Sequence, residues 1–166
     1  MQRTLSIGAC LAFAMFLAWV AVPNYLRARN RSRQKQTMAD MRSIATAWEA
    51  RATDINSYSV GAELNSRGGA RVRMPTERRV AAADLAGSLE PAYIRKLPRT
   101  DGWGTEFQFT TGGYEIASQA QTYTIRSLGS DGRADRIANL SGSTTDFSDD
   151  VIYSNGSFIR YPENAG

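Results

Sequence analysis

From Leu5 to Leu26 the chain carries no charged residue, and Arg3 and Arg27 bracket the run. Roughly 20 apolar residues at about 1.5 Å each cover a hydrocarbon core about 30 Å thick, so the length fits a membrane helix. Pro23 falls near the end of the run, where a proline kinks a helix without having to end it. Beyond Arg27 the pattern turns amphipathic, and no glycine interrupts it. Met38, Met41, Ile44, Ala45, Trp48, Ala52 and Ile55 recur at steps of three or four, which makes one apolar helical face. Asp40, Arg42, Glu49 and Arg51 fall on the other side. The stripe reads as a helix docked on its own domain, with partner-helix packing as the alternative.

The helix signal stops at Asn56-Ser57-Tyr58. Residues 59–80 are rich in Gly and Arg without a period and read as a long surface connection. Ala81–Leu89 predicts a short helix with Pro91 just past its end. From Thr100 the character changes to β. Asp101-Gly102-Trp103-Gly104 is a turn signal, Thr105–Thr111 alternates weakly, and Gly112-Gly113 marks a hairpin. Tyr114–Ala117 and Tyr123–Leu128 are further strand candidates. Gly129–Asp150 reads as a polar loop. The chain then closes on Val151–Tyr153, a turn at Asn155-Gly156, and Phe158–Tyr161. The resulting division is 1–26 as a transmembrane helix, 27–55 as an amphipathic stem helix, and 56–166 as an α/β head.

Composition changes this picture at three points. The 166 residues leave room for one modest domain beside the apolar run. A single cysteine, Cys10, excludes an internal disulfide framework, and its place in the apolar run argues against a zinc site. A cleaved signal needs small residues at its cleavage point, whereas Trp19-Val20-Ala21 puts Trp at the critical position. Lipidation at Cys10 would leave too short an apolar segment before it, so a retained anchor is expected. The net charge of +4 is divided unevenly: residues 1–100 hold 16 Lys/Arg against 7 Asp/Glu, and residues 101–166 hold 4 against 9. A basic stem with an acidic head suggests contact with anionic lipid at one end. At the other it suggests cation binding rather than nucleic acid. Arg27, Arg29, Arg31, Arg33 and Lys35 form a basic collar, either simply solvated or touching lipid headgroups.

Candidate chemistry is sparse. With no histidine there is no Ser-His or Cys-His dyad, phosphate-cradling loops are absent, and no nucleophile–base set can be named. The chain is therefore expected not to be an enzyme. The polar loop carries Asp131, Asp135, Asp146, Asp149 and Asp150. Leu128-Gly129-Ser130-Asp131-Gly132 places a carboxylate on a turn after a strand, and Asp149-Asp150 supplies two more before the next strand. Calcium takes six to eight hard oxygen ligands from such groups, although the alternating carboxylates of an EF-hand are missing. Spacing alone leaves both a solvated acidic loop and a metal site open.

Several segments, in order, resemble the type IV pilin-like proteins, in particular the major pseudopilins of type II secretion. They are Ala21–Arg29, Lys35–Ala50, Tyr93-Ile94-Arg95-Lys96-Leu97-Pro98, Asp101-Gly102-Trp103-Gly104, Ser127–Gly132 and Asp149-Asp150-Val151-Ile152. The resemblance implies an α+β fold with a long N-terminal helix packed on a small antiparallel sheet. The first half of that helix would lie in the bacterial inner membrane as a single pass, with the C-terminal domain periplasmic. It further implies self-assembly into a helical filament, the pseudopilus, with other pseudopilins and inner-membrane secretion components, for protein export across the outer membrane. It also implies a calcium site from the Leu128 carbonyl, Asp131, and one or both of Asp149 and Asp150. Two features depart from the family. Aligned on Pro23, Ser6 stands where the family has a glutamate, and no Gly-Phe junction precedes it. The basic collar outweighs Met1 and Arg3, so the positive-inside rule by itself favours the opposite orientation. These departures keep alternatives open: a membrane-tethered pilin-fold binding module that does not assemble, or a minor pilin of a type IV pilus.

Overall fold

The computed structural model describes residues 2–60, 77–113, 119–135 and 141–163; in the first part of the N-terminal helix it describes side chains at Met15 and from Trp19 onward. That helix, α1, runs unbroken from Gln2 to Ile55, with Pro23 inside it. At about 1.5 Å per residue, 54 residues make a rod about 80 Å long. Asn56 ends it in the left-handed region at φ 55°, a conformation Asn tolerates at a helix C-terminus. α2 spans Ala82–Leu89.

The sheet comprises β1 (Glu77–Val80), β2 (Gln108–Gly112), β3 (Thr122–Ser127), β4 (Gly142–Thr144), β5 (Val151–Ser154) and β6 (Ser157–Pro162), in the order β1-β2-β3-β5-β6-β4. All neighbours are antiparallel except β4, which pairs parallel with β6. The sheet is therefore mixed, a correction to the all-antiparallel expectation. β5 and β6 are joined through Asn155 and Gly156, both at positive φ, as a two-residue hairpin requires. β1 and β4 replace parts of what the sequence marks as connections. Both are edge strands, and β1 (Glu-Arg-Arg-Val) buries only Val80. Charged edge strands resist pairing with other chains and lack the alternation that reveals a strand. The expected strand Tyr114–Ala117 lies outside the described residues.

α1 lies across one face of this sheet. Met38, Met41, Ile44, Ala45, Trp48 and Ala52 are buried, as their spacing requires, whereas Ile55 is exposed. They meet Phe109, Tyr123, Ile125 and Val151 from the sheet and Leu85 and Leu89 from α2. β3 buries every second residue, so one face packs on α1 and the other carries Thr122, Thr124 and Arg126. Trp48 sits at the centre, its ring 5.1 Å from Tyr123 and 6.2 Å from Phe109. Its indole N–H donates to the Tyr58 carbonyl at 3.0 Å.

Two residues expected on the solvent side of α1 are instead engaged. Arg51 is buried and donates to the Ser59 carbonyl at 2.9 Å, and Glu49 accepts a short hydrogen bond from the Tyr123 hydroxyl. The segment after α1 folds back over this side. There the Tyr58 N–H donates to the Ala120 carbonyl, so these polar groups gain partners that the helical period does not reveal.

Candidate functional site

The Leu128–Gly132 turn follows β3 directly, and Asp149 and Asp150 precede β5, its antiparallel neighbour. Because Ser127 pairs with Val151, the two segments meet where the ladder ends. Gly129 adopts φ +64°, and a Cβ there would lie 2.7 Å from the Asp149 carbonyl oxygen, so only glycine allows this approach. Ser130 N–H donates to the Phe147 carbonyl at 2.8 Å and closes the contact. The segments carrying Leu128, Asp131, Asp149 and Asp150 are thus brought together, as their positions in sequence imply.

The side chains, however, have partners that spacing does not show. Asp150 is fully buried. Its Oδ2 accepts from Arg126 Nε at 2.6 Å, from Arg126 Nη2 in a shorter contact, and from the Asp135 N–H at 3.0 Å. Asp135 Oδ2 accepts from Arg160 Nη1 at 2.7 Å and from the Asp150 N–H at 3.0 Å. Asp149 pairs with Arg160 Nη2 at 3.0 Å and accepts a short bond from the Thr144 hydroxyl. Asp131 is exposed, and its Oδ1 accepts from the Arg133 N–H in a local turn. Among the described residues, three carboxylates therefore face two guanidinium groups in a network joining β3, β6 and the loop. Such charge-assisted bonds hold a loop firmly when every lone pair is met.

One lone pair is not met. Asp150 Oδ1 is buried and has no hydrogen-bond partner among the described residues. Burial pushes the Asp150 carboxyl above the usual carboxylate range, against the opposing pull of Arg126 and the Asp135 N–H. Asp146 moves the other way, held down by hydrogen bonds from Ser148. Among the described residues, no group of three or more His, Cys, Asp or Glu side chains is placed to hold a metal ion. The donor set fits calcium in part. The buried Asp150 oxygen without a partner among the described residues suits a hard cation, whereas Asp149 is already committed to Arg160 and Thr144 and Asp131 is exposed in a local turn.

Sequence does not mark Arg126 or Arg160, and it marks Asp135 only as one acid of the polar loop. The alternation of β3 does place Arg126 on the face away from α1, but its pairing with Asp150 depends on β5 lying alongside. Arg160 is buried on β6, where no helical or motif signal marks it.

The other notable surface is α1 itself. Among its described side chains, Met15 is 68 % exposed, Trp19 78 %, and Val20, Val22, Tyr25 and Leu26 are exposed as well. Burial begins near Gln34. Among the described residues, no helix is long and apolar enough to cross a membrane. The span expected over 1–26 falls mostly on side chains outside that set.

No protein family, curated protein or solved structure matches this chain.

Proposed function

We propose that this protein is a pseudopilin-like structural subunit of a type II secretion pseudopilus, taking part in protein export across the outer membrane. The observation that carries the reading is the division of α1. Its second half is seated on the sheet, while the described residues of its first half expose Met15, Trp19, Val22, Tyr25 and Leu26 on a helix clear of the domain. A row of large apolar side chains in water is unfavourable by roughly 25 cal/mol for each Å² that could be covered. Lipid covers it when 1–26 spans the bacterial inner membrane. Neighbouring copies cover it when the helices stack into a filament beside other pseudopilins and inner-membrane secretion components. The head then lies in the periplasm. Calcium belongs to the same proposal, held by the Leu128 carbonyl, Asp131 and the free oxygen of Asp150.

The test is cross-linking of the stem. Ser43 and Ala50 are exposed positions on α1, suited to single cysteines in a Cys10→Ser background. With the secretion components present, ladders of oligomers are expected. Monomers alone under those conditions would sink the assembly reading. Ser6→Glu tests the non-assembling module: on that reading the substitution changes nothing in assembly or export, and a gain of filaments would contradict it. Loss of twitching with export intact would instead indicate a minor pilin.

A further inference from the structure

A cleft of about 350 Å³ opens between α1 and the β4–β6 edge of the sheet. Arg27, Arg31 and Lys35 line its helical wall. Their spacing of four residues puts them on one face, about 6 Å apart along the axis. Thr145 and Glu163 line the opposite side, the latter fixed by its N–H donating to the Thr144 carbonyl at 2.9 Å. The three cations make no ion pair among the described residues, unlike Arg126 and Arg160. One carboxylate, Glu163, leaves the cleft with a surplus of positive charge. Arg29 and Arg33 belong to the same basic collar but do not line the cleft.

We propose that this cleft is a binding site for the phosphate headgroup of an anionic phospholipid. The cleft begins one residue after Leu26, where the exposed apolar part of α1 ends. Trp19 and Tyr25, exposed on that part, are residue types that settle at the membrane interface. A lipid with its chains along the apolar helix therefore presents its phosphate at the level of Arg27–Lys35. The fold adds a second wall, so the contact is a site rather than a diffuse attraction of the whole collar. The volume falls within the range of small-ligand sites, which begins at about 300 Å³. The inference rests on membrane insertion of α1 but not on filament assembly, so failure of stem cross-linking leaves it standing.

The experiment is native mass spectrometry of the full chain released from detergent, titrated with phosphatidylglycerol or phosphatidylcholine. Phosphatidylglycerol is expected to be retained in preference to phosphatidylcholine, and excess inorganic phosphate is expected not to displace it. Arg31→Gln with Lys35→Gln should weaken phosphatidylglycerol retention about tenfold or more. Arg29→Gln with Arg33→Gln removes the same charge from the same helix and should change it by less than about twofold. If the Arg31/Lys35 pair impairs folding, Arg27→Gln alone should still weaken retention about threefold. Equal losses from the two pairs would reduce the contact to collar electrostatics and overturn the site. No preference for the anionic lipid, or displacement by phosphate, would overturn the ligand.

Discussion

Gly102 lies where the Asp101–Gly104 turn touches the backbone of α1. A Cβ at this position would fall 2.8 Å from the Arg33 carbonyl carbon and 2.9 Å from its Cα, and backbone cannot yield as a flexible side chain does. The contact is fixed from both sides. Gly102 N–H donates at 2.9 Å to the hydroxyl of buried Thr37, which itself donates to the Arg33 carbonyl. Asp101 braces the turn, one oxygen accepting from the Trp103 and Thr105 N–H groups and the other from the Ser127 hydroxyl at 2.7 Å. Gly102→Ala is therefore expected to destabilise the full chain by about 1–3 kcal/mol, by forcing the turn off the helix. Chemical denaturation in detergent, followed by tryptophan fluorescence, to which buried Trp48 contributes, checks it, and an unchanged midpoint would refute the close approach. The sequence marks this turn but not the helix it leans on. A turn signal is local, and the need for glycine here comes from a residue 69 positions earlier, a separation given by 102 − 33.

At the scale of elements, the legible parts are those whose burial repeats with a period. The α1 stripe from Met38 to Ala52, α2, β3 and β5 bury the apolar residues their patterns select, whereas β6 exposes Ile159 and Tyr161 and buries Arg160. The β1 and β4 edges were hidden because they bury too little to alternate, and Glu49 and Arg51 because polar partners arrive from distant chain. The loop between β3 and β5 shows the same limit. Asp149 and Asp150 are recognisable as oxygen donors, yet their arginine partners stand on other strands. A divalent cation bound to the folded chain stabilises it by linkage, by about 2.7 kcal/mol at a hundred times the dissociation constant, and so raises its melting temperature. Calcium is expected to give an upward shift of several degrees in the full chain over that seen in chelator, and Asp131→Ala to remove most of it. Asp149→Asn should lower the baseline by weakening the Arg160 contact but leave the calcium shift in place. Identical melting curves in calcium and chelator would defeat the metal proposal while leaving the arginine network intact.

In the whole molecule, the stem, the sheet and the segment after α1 meet around Glu49. Tyr123 is buried beneath Trp48 and donates to Glu49, and Tyr58 packs against it at a tilt, with ring centres 4.8 Å apart. Tyr58, Tyr123 and Tyr153 are all pushed above the ordinary tyrosine range, chiefly by burial, with the Glu49 charge adding to each. The largest displacement is at Tyr123, where Glu49 also accepts its proton in a hydrogen bond. The sign of the resulting pH dependence follows from where protons are held. Below pH about 10 these phenols are neutral in both states and their contacts persist. Above it the unfolded chain releases protons that the folded chain keeps, so stability falls with rising pH, by at most about 1.4 kcal/mol per unit for each proton. Stem and sheet should therefore come apart together in alkali, rather than the sheet outlasting the stem, because one cluster joins them. Tyr123→Phe is expected to cost about 1.5–3 kcal/mol at neutral pH, through the lost bond to the Glu49 carboxylate. Above pH 10 the same variant should show a shallower decline, by about one proton. Denaturant midpoints measured from pH 8 to 12 read both effects. An alkaline slope identical to that of the parent would show that Tyr123 is not held neutral by this junction.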